Sequence, residues 1–466
     1  MTPKSESISD LRDRIAKLEG DIDRLTRQDA LTGLLNRVSF FSVVERLRAR
    51  QQDPQLFDGA LVEVTVRGIP KISGTLGRHA GDYVLSALAA RLNQLSISDV
   101  ICARMDQSQF GVFFPHVASH DQALSLADDV LAVLSQPVEW LDRPLSIELA
   151  AGISLLAESG HDIANLIQHS ELALEMALAK GGHSRVLFNP EIAKSFKRRN
   201  DVLYALQGAL EKNEMSLRYQ PVYDARSRTL AGFEALMRMN CRDLGAVSPM
   251  EFIPVAESSG LISMLGAWAL TEACTVARVW PRHLTLAVNI SPEQFHSGSL
   301  VADVQAALDK SGFDPHRLEL EITESTLLVN SDHVLGQLRA LHDLGCSIVL
   351  DDFGTGYSSL SYLWKFPFSK LKLDKAFIAA MELTESAKGV AKSIVSLASS
   401  LKLKITAEGI ETELQARTLR DLGVDFLQGF LFSAPITEQD LAPLVLREFS
   451  RLFPSTQQPE AEQLQA

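Results

Sequence analysis

The chain has 466 residues, a formal net charge of -13 and 46% hydrophobic residues. That length accommodates two or three ordinary domains, and that apolar content excludes a chain disordered throughout. The acidic balance argues against a DNA binder, which needs a basic surface, but leaves room for a small anionic ligand, because a bound divalent metal reverses the local field.

In chain order, the first element is an amphipathic helix. Ile8, Leu11, Ile15, Leu18, Ile22 and Leu25 alternate in steps of three and four, the a and d positions of three heptads. β-Branched residues at a with Leu at d favour a parallel two-stranded coil, in which Arg14 meets Glu19 of a second copy. Residues 1–28 are therefore expected to form a coiled-coil helix, and the chain a homodimer. The opening MTPKSESISDLRDRIAKLEG is too polar for a signal peptide. No run of about 18 apolar residues predicts a membrane-spanning helix, so no membrane insertion is expected. Cys102, Cys241, Cys274 and Cys346 show no CxxC or Cys/His spacing. The expectation is a cytoplasmic protein with reduced thiols.

Residues 29–190 alternate helix-like runs (VSFFSVVERLRARQ, DYVLSALAARLNQL, DQALSLADDVLAVLSQ, ANLIQHSELALEMALAK) with strand-like ones (ALVEVTV, VICARM, FGVFF, SIELAAGISLL). The polar stretch RMDQSQF between two apolar runs predicts a hairpin, hence an α/β domain with a mixed sheet. Residues 191–215 form a charged helical connector. From 216 to 452, eight short apolar runs (LRYQPVY, LAGFEALMR, LTLAVNIS, LELEIT, SIVLDDFG, KLKLDK, KITAEGI, DFLQGFLF) alternate with longer helical segments, which predicts a TIM-like (β/α)8 barrel. The fold class is thus α/β multidomain, with a polar, disordered tail over 453–466.

Polar residues in the barrel runs share a placement at or near strand ends: Glu234, Asn289, Glu321, Asp351, Asp352, Lys372, Glu408 and Gln428. C-terminal strand ends of such a barrel converge on one mouth. Several carboxylates there repel unless a cation joins them, and an oxygen-rich Glu/Asp/Asn set suits Mg2+ or Mn2+. Adjacent aspartates point to two ions and phosphodiester hydrolysis. Singly, each residue has a plainer reading as a rim, cap or edge group.

The segments YQPVYD, GFEALMR, EFIPVAESSGLI, AVNISPEQF, LELEITES, DDFGTGYSSLSYL, LKLD, AEGIET and QGFLFSAP closely resemble EAL domains, which hydrolyse cyclic di-GMP. The resemblance implies a barrel with one antiparallel strand, two Mg2+ or Mn2+ ions and the product pGpG. It makes Glu234, Asn289, Glu321 and Asp351 metal ligands, with Asp351 bridging to a second metal held by Asp352. Lys372 stands near the attacking water, and Glu408, Glu411 and Gln428 complete the second-metal and water network. Gln220 and Arg238 match substrate-binding positions, and Asp374 a further acidic one. Glu324 and the loop with Gly354 and Gly356 match the element that couples dimerisation to metal binding.

The segments DALTGLLNRVSF, GRHAGDYVL, AAGIS and ALAKGGHSRVLF give the first region a resemblance to GGDEF domains, the fold of diguanylate cyclases. Here its chemistry is degenerate. Asp106 and Gln107 replace the two glycines, Ser108 and Gln109 replace the Asp-Glu pair, and Thr65 replaces the other metal Asp. Ser73 replaces a guanine-contacting Asn, whereas Asp82 is retained. Glu63 and Asp106 each lie two residues early to substitute as ligands, roughly 7 Å along a strand. The expectation is a phosphodiesterase without cyclase activity, whose diverged domain regulates or dimerises it; a purely structural dimerising or partner-binding role is favoured over regulation by GTP bound there. The alternatives are a non-catalytic cyclic di-GMP receptor and an interaction scaffold.

Overall fold

The computed structural model describes residues 26–51, 53, 57–95, 99–328, 331–353, 363 and 365–452. The expected coiled coil (apart from Thr26, Arg27 and Gln28), the tail, Gly354 and Gly356 lie outside these residues. The chain divides into two compact units, Met1–Arg198 and Arg199–Ala466.

The first unit holds β1 (Leu35–Asn36), β2 (Gly59–Arg67), β3 (Ile101–Asp106), β4 (Gln109–Pro115), a small hairpin of β5 (Val138–Trp140) and β6 (Arg143–Leu145), β7 (Glu148–Leu155) and β8 (Ser184–Leu187). Six strands form one sheet in the order β1-β3-β4-β2-β7-β8. Its outer pairs β1–β3 and β7–β8 are parallel and its inner pairs antiparallel, so the sheet is mixed. The period of two divides its side chains between two apolar clusters. Val62, Val64, Phe110 and Val112 enter one, and Leu61, Ala103 and Phe113 the other.

Glu63 breaks that pattern. It is fully buried in the central strand, and its register partners on both sides are glycines, Gly111 and Gly152. A Cβ at Gly152 would lie 2.1 Å from the Ser170 carbonyl of the helix Ile163–Lys180, so glycine lets that helix approach the sheet. Neither carboxyl oxygen of Glu63 has a hydrogen-bond partner among the described residues. Burial, reinforced by Glu171 and opposed by Ser170 and Arg37, pushes the carboxyl up to about 8.

The second unit holds β9 (Met215–Asp224), β10 (Leu230–Cys241), β11 (Gly245–Val247), β12 (Thr285–Ile290), β13 (Leu318–Thr323), β14 (Ser347–Phe353), β15 (Phe368–Leu373), β16 (Lys404–Ala407) and β17 (Phe426–Leu427). Eight strands close into a barrel through the β9–β10 and β17–β9 pairings, and β11 extends the β10 edge. β9 runs antiparallel to both its neighbours, and the other barrel pairings are parallel. Outward residues such as Leu286, Leu320, Leu350 and Leu371 pack in the large apolar cluster. By alternation their neighbours face the barrel interior.

The folded first unit keeps a Glu63 proton that an unfolded chain releases above about 4.5, so its stability falls as pH rises from about 4.5 to about 8. Glu63→Gln has no such proton to lose. Its stability relative to wild type should increase across that window, on the order of a few kcal/mol. Urea midpoints at pH 5 and pH 8 check this; an equal shift at both would contradict it.

Candidate active site

The inward side chains meet at one barrel mouth around Lys372, the penultimate residue of β15, which is 2% exposed. Its ammonium lies 2.7 Å from Glu321 Oε2, 3.4 Å from Asp351 Oδ2 and 3.5 Å from Glu234 Oε2, and it contacts Glu408. Glu408 directly follows β16, and Gln428 directly follows β17. Glu234 accepts hydrogen bonds from Asn289 Nδ2 and Gln428 Nε2, both at 2.6 Å. Gln428 Nε2 also donates to Gln220 Oε1 at 3.1 Å, and Gln220 donates to the Ser433 carbonyl. Gln220 and Glu234 are cross-strand partners, so the antiparallel β9 adds its amide to the same mouth.

Four acids around one ammonium leave the cluster short of positive charge. Burial opposes the Lys372 ammonium, but Asp351, Glu234, Glu321 and Glu408 outweigh it and hold it protonated far above the ordinary range. Burial, with Glu234, Asp351 and Glu408, pushes Glu321 well up despite Lys372. Burial likewise pushes Glu408 up to about 8, against Lys372. For Glu234 burial also acts upward, but Lys372 and the amides of Gln428 and Asn289 pull its carboxyl below the usual value. Among the described residues, no group of three or more His, Cys, Asp or Glu side chains stands arranged around an ion position. The Lys372 ammonium lies between the acids instead.

The remaining expected residues occupy different places. Glu234 is not at a strand end: β10 continues seven residues beyond it, to Cys241, because β9 pairs with it as far as Met239 and β11 with its last three residues. Asp352 adjoins the cluster with φ at +54°, a left-handed conformation unusual for a non-glycine residue, and its N–H donates to Asp351 Oδ1. Burial, then Asp351 and Asp374, raise the Asp352 carboxyl. Arg238 is half-buried and donates to the Met237 carbonyl. Asp374 caps the helix Lys375–Leu383 by accepting from the Ala376 N–H. Glu411 is exposed, and its backbone N–H bonds to Gln415. Glu324 is buried at the start of a 3-10 turn, Glu324–Leu328.

In the first unit, Gln107 and Ser108 form the turn between β3 and β4. Arg104 holds this tip, donating to Asp29 Oδ1 at 2.9 Å and to the Gln107 carbonyl at 2.7 Å. The Ser108 carbonyl accepts from the Val66 N–H, and Thr65 pairs in register with Gln109. Asp106 is exposed and accepts from the Gln107 N–H, whereas Glu63 lies buried in the row of Gly111. These two acids therefore occupy different rows and environments.

Sequence reasoning missed two groups. Lys370 and Glu319 form a second buried pair inside the barrel, at 2.6 and 2.7 Å. Their signal was available, because LELEIT and KLKLDK each carry two like charges at a spacing of two. Ser291 was also missed. It caps the helix Pro292–Ser297 through a capping box with Gln294 and donates to Glu257 at 2.7 Å. The run S-P-E-Q is the sequence signature of that cap.

Residues 26–184 match the diguanylate cyclase GGDEF domain, and residues 204–435 match the EAL domain. The EAL half is 41% identical to a solved structure described as PaMucR phosphodiesterase in complex with c-di-GMP, covering 52% of this chain and 99% of that one, with a TM-score of 0.50. The chain belongs to the GGDEF–EAL family. Over 92% of its length it is 32% identical to the bifunctional diguanylate cyclase/cyclic di-GMP phosphodiesterase MucR of Pseudomonas aeruginosa, covering 63% of that protein. Over 97% of its length it is 30% identical to the cyclic di-GMP phosphodiesterase NbdA of the same organism, covering 57% of it. The chain spans 50–63% of the length of the first curated relatives it matches. No helix among the described residues is long and apolar enough to cross a membrane.

Removing the Lys372 ammonium leaves buried carboxylates without their cation. Lys372→Met should destabilise the EAL unit by about 3–5 kcal/mol. Urea unfolding in EDTA measures this; a loss under about 1 kcal/mol would show that the acids do not depend on Lys372.

Proposed function

We propose that the EAL unit hydrolyses cyclic di-GMP to linear pGpG at the barrel mouth, with two Mg2+ or Mn2+ ions. The convergence of Glu234, Asn289, Glu321, Asp351, Glu408 and Gln428 around Lys372 carries this reading. The MucR and NbdA names, and the cyclic di-GMP held by the MucR domain, point to the same substrate.

The donor set fits hard divalent cations. It consists of oxygens, and mutual repulsion in a buried setting raises Glu321, Glu408 and Asp352 in a way that added positive charge reverses. Glu234, Asn289, Glu321 and Asp351 would hold one ion, and Asp351 and Asp352 would hold the second. When bound, such ions neutralise phosphate charge and make a water nucleophilic near neutral pH. Asn289 would offer the ion its amide oxygen, its Nδ2 being the group that donates to Glu234. Lys372, kept protonated by its neighbours, donates to the attacking water and balances developing charge. Glu408 and Gln428 would order that water, whereas Glu411 lies exposed outside the enclosed cluster. Gln220 and Arg238 would contact the substrate, the Arg238 guanidinium through a phosphate oxygen.

The first unit is read as a diguanylate cyclase fold that has lost its chemistry. Thr65 and Ser108 offer no carboxylate, and Asp106 and Gln107 place side chains where GTP phosphates need bare backbone. Its proposed role is to regulate or dimerise the EAL unit of a cytoplasmic homodimer.

Purified protein with Mn2+ should convert cyclic di-GMP to pGpG, and Glu234→Ala should lower turnover by about a thousandfold or more. Binding without turnover by wild type would identify a receptor, and neither would identify a scaffold. A chain beginning at residue 195 should differ from the full chain in hydrolysis rate or in dimerisation by sedimentation. If neither changes, the first unit has no such role.

A further inference from the structure

We infer that Glu319 is a positioning residue, which holds Lys370 away from the catalytic carboxylates so that Glu321 stays available to the metal. This rests on the metal-dependent reading above.

Two lysines face the interior from one strand, Lys370 and Lys372 of β15, and two glutamates face it from β13, Glu319 and Glu321. Each lysine makes a diagonal pair: Lys372 with Glu321 at 2.7 Å, and Lys370 with Glu319 at 2.6 and 2.7 Å. The register shows that the lower pairing is not the direct one. Glu321 pairs with Val349, and Val349 pairs with Lys370, so Glu321 and Lys370 share a row across β14. Row partners two strands apart lie about 10 Å apart at the backbone, a span that a lysine and a glutamate cover together. Glu319 lies roughly 7 Å further down its strand.

Lys370 thus has two carboxylates within reach and is committed to the lower one. Both oxygens of Glu319 accept from it, and the Phe426 ring lies 4.5 Å from its ammonium on another side. Both members of the pair are 11% exposed in their side chains, so water offers little alternative partnership. Without the Glu319 charge, the buried ammonium keeps its need for a carboxylate and turns to Glu321. A second ammonium on Glu321 competes with a cation at the same oxygens.

The logic requires the damage to run through Lys370, and that separates positioning from simple structural support. Mn2+ binding to the full-length protein is measured by calorimetry without substrate for wild type, Glu319→Gln and the double variant Glu319→Gln/Lys370→Met. Glu319→Gln should weaken Mn2+ binding by about tenfold or more, within the range for residues that support metal ligands. The double variant should return to within about threefold of wild type, because the competing ammonium is gone. In turnover assays the Mn2+ needed for half-maximal rate should rise in Glu319→Gln while the KM for cyclic di-GMP stays near wild type. If Glu319→Gln does not fold, Glu319→Asp replaces it in both single and double form, its shorter side chain releasing Lys370. Unchanged Mn2+ binding by the single variant, or a double variant as weak as the single, overturns the inference. Wild type that binds no Mn2+ overturns the metal reading itself, and this inference with it.

Discussion

A single ammonium surrounded by four carboxyl groups organises the barrel mouth. Lys372 is enclosed, and its charge is the nearest compensation for Glu234, Glu321, Asp351 and Glu408. Burying those acids is costly, and one cation does not neutralise them, so Glu321 and Glu408 hold their protons well above the usual range. The surrounding amides work toward the same end. Asn289 and Gln428 each give a hydrogen bond to Glu234, which keeps that carboxylate ionised and fixed. A site with this imbalance favours added positive charge, and the proposed phosphodiester cleavage would use that preference.

The barrel below repeats the arrangement one level down. Glu319 and Lys370 form a complete, neutral pair, whereas the upper level holds an excess of acid. A closed barrel makes both levels possible, since alternate residues point inward on every strand and the outward ones join the apolar layer with the helices. The first unit's hairpin is still held by Arg104 and Asp29, and its sheet is well packed, but the acids that such a site requires are absent at Thr65 and Ser108. The strands stabilise that sheet whatever the tip carries.

Much of this was legible in the residues. The eight barrel runs fall within or overlap the observed strands, and the polar tip at 107–108 is the turn between β3 and β4. Strand extents were less legible. The run ending near Arg238 gave no sign that β10 continues to Cys241, because the extension is supported by its pairing with β11. Glu63 was read only as a misplaced ligand. Its burial follows from two glycines that are distant in sequence and adjacent in the sheet. The coupling glycines Gly354 and Gly356 and most of the N-terminal heptads lie outside the described residues.

Residue order alone set which side-chain types the molecule could bring to chemistry: an oxygen-rich set with one lysine in the second half, and in the first a hairpin signature with Thr65 and Ser108 at the expected acid positions. Those are properties of composition and local order, carried by motif and period. Which of these residues meet depends on strand order and barrel closure. Closure of the barrel placed Gln220 from an antiparallel strand against Gln428, put Lys372 among the acids, and left Glu411 exposed. Register across β14 put Lys370 in the row of Glu321, and the reach of its side chain took its ammonium to Glu319 instead. Charge pairing depends on distance in three dimensions, and strand order and stagger set that distance.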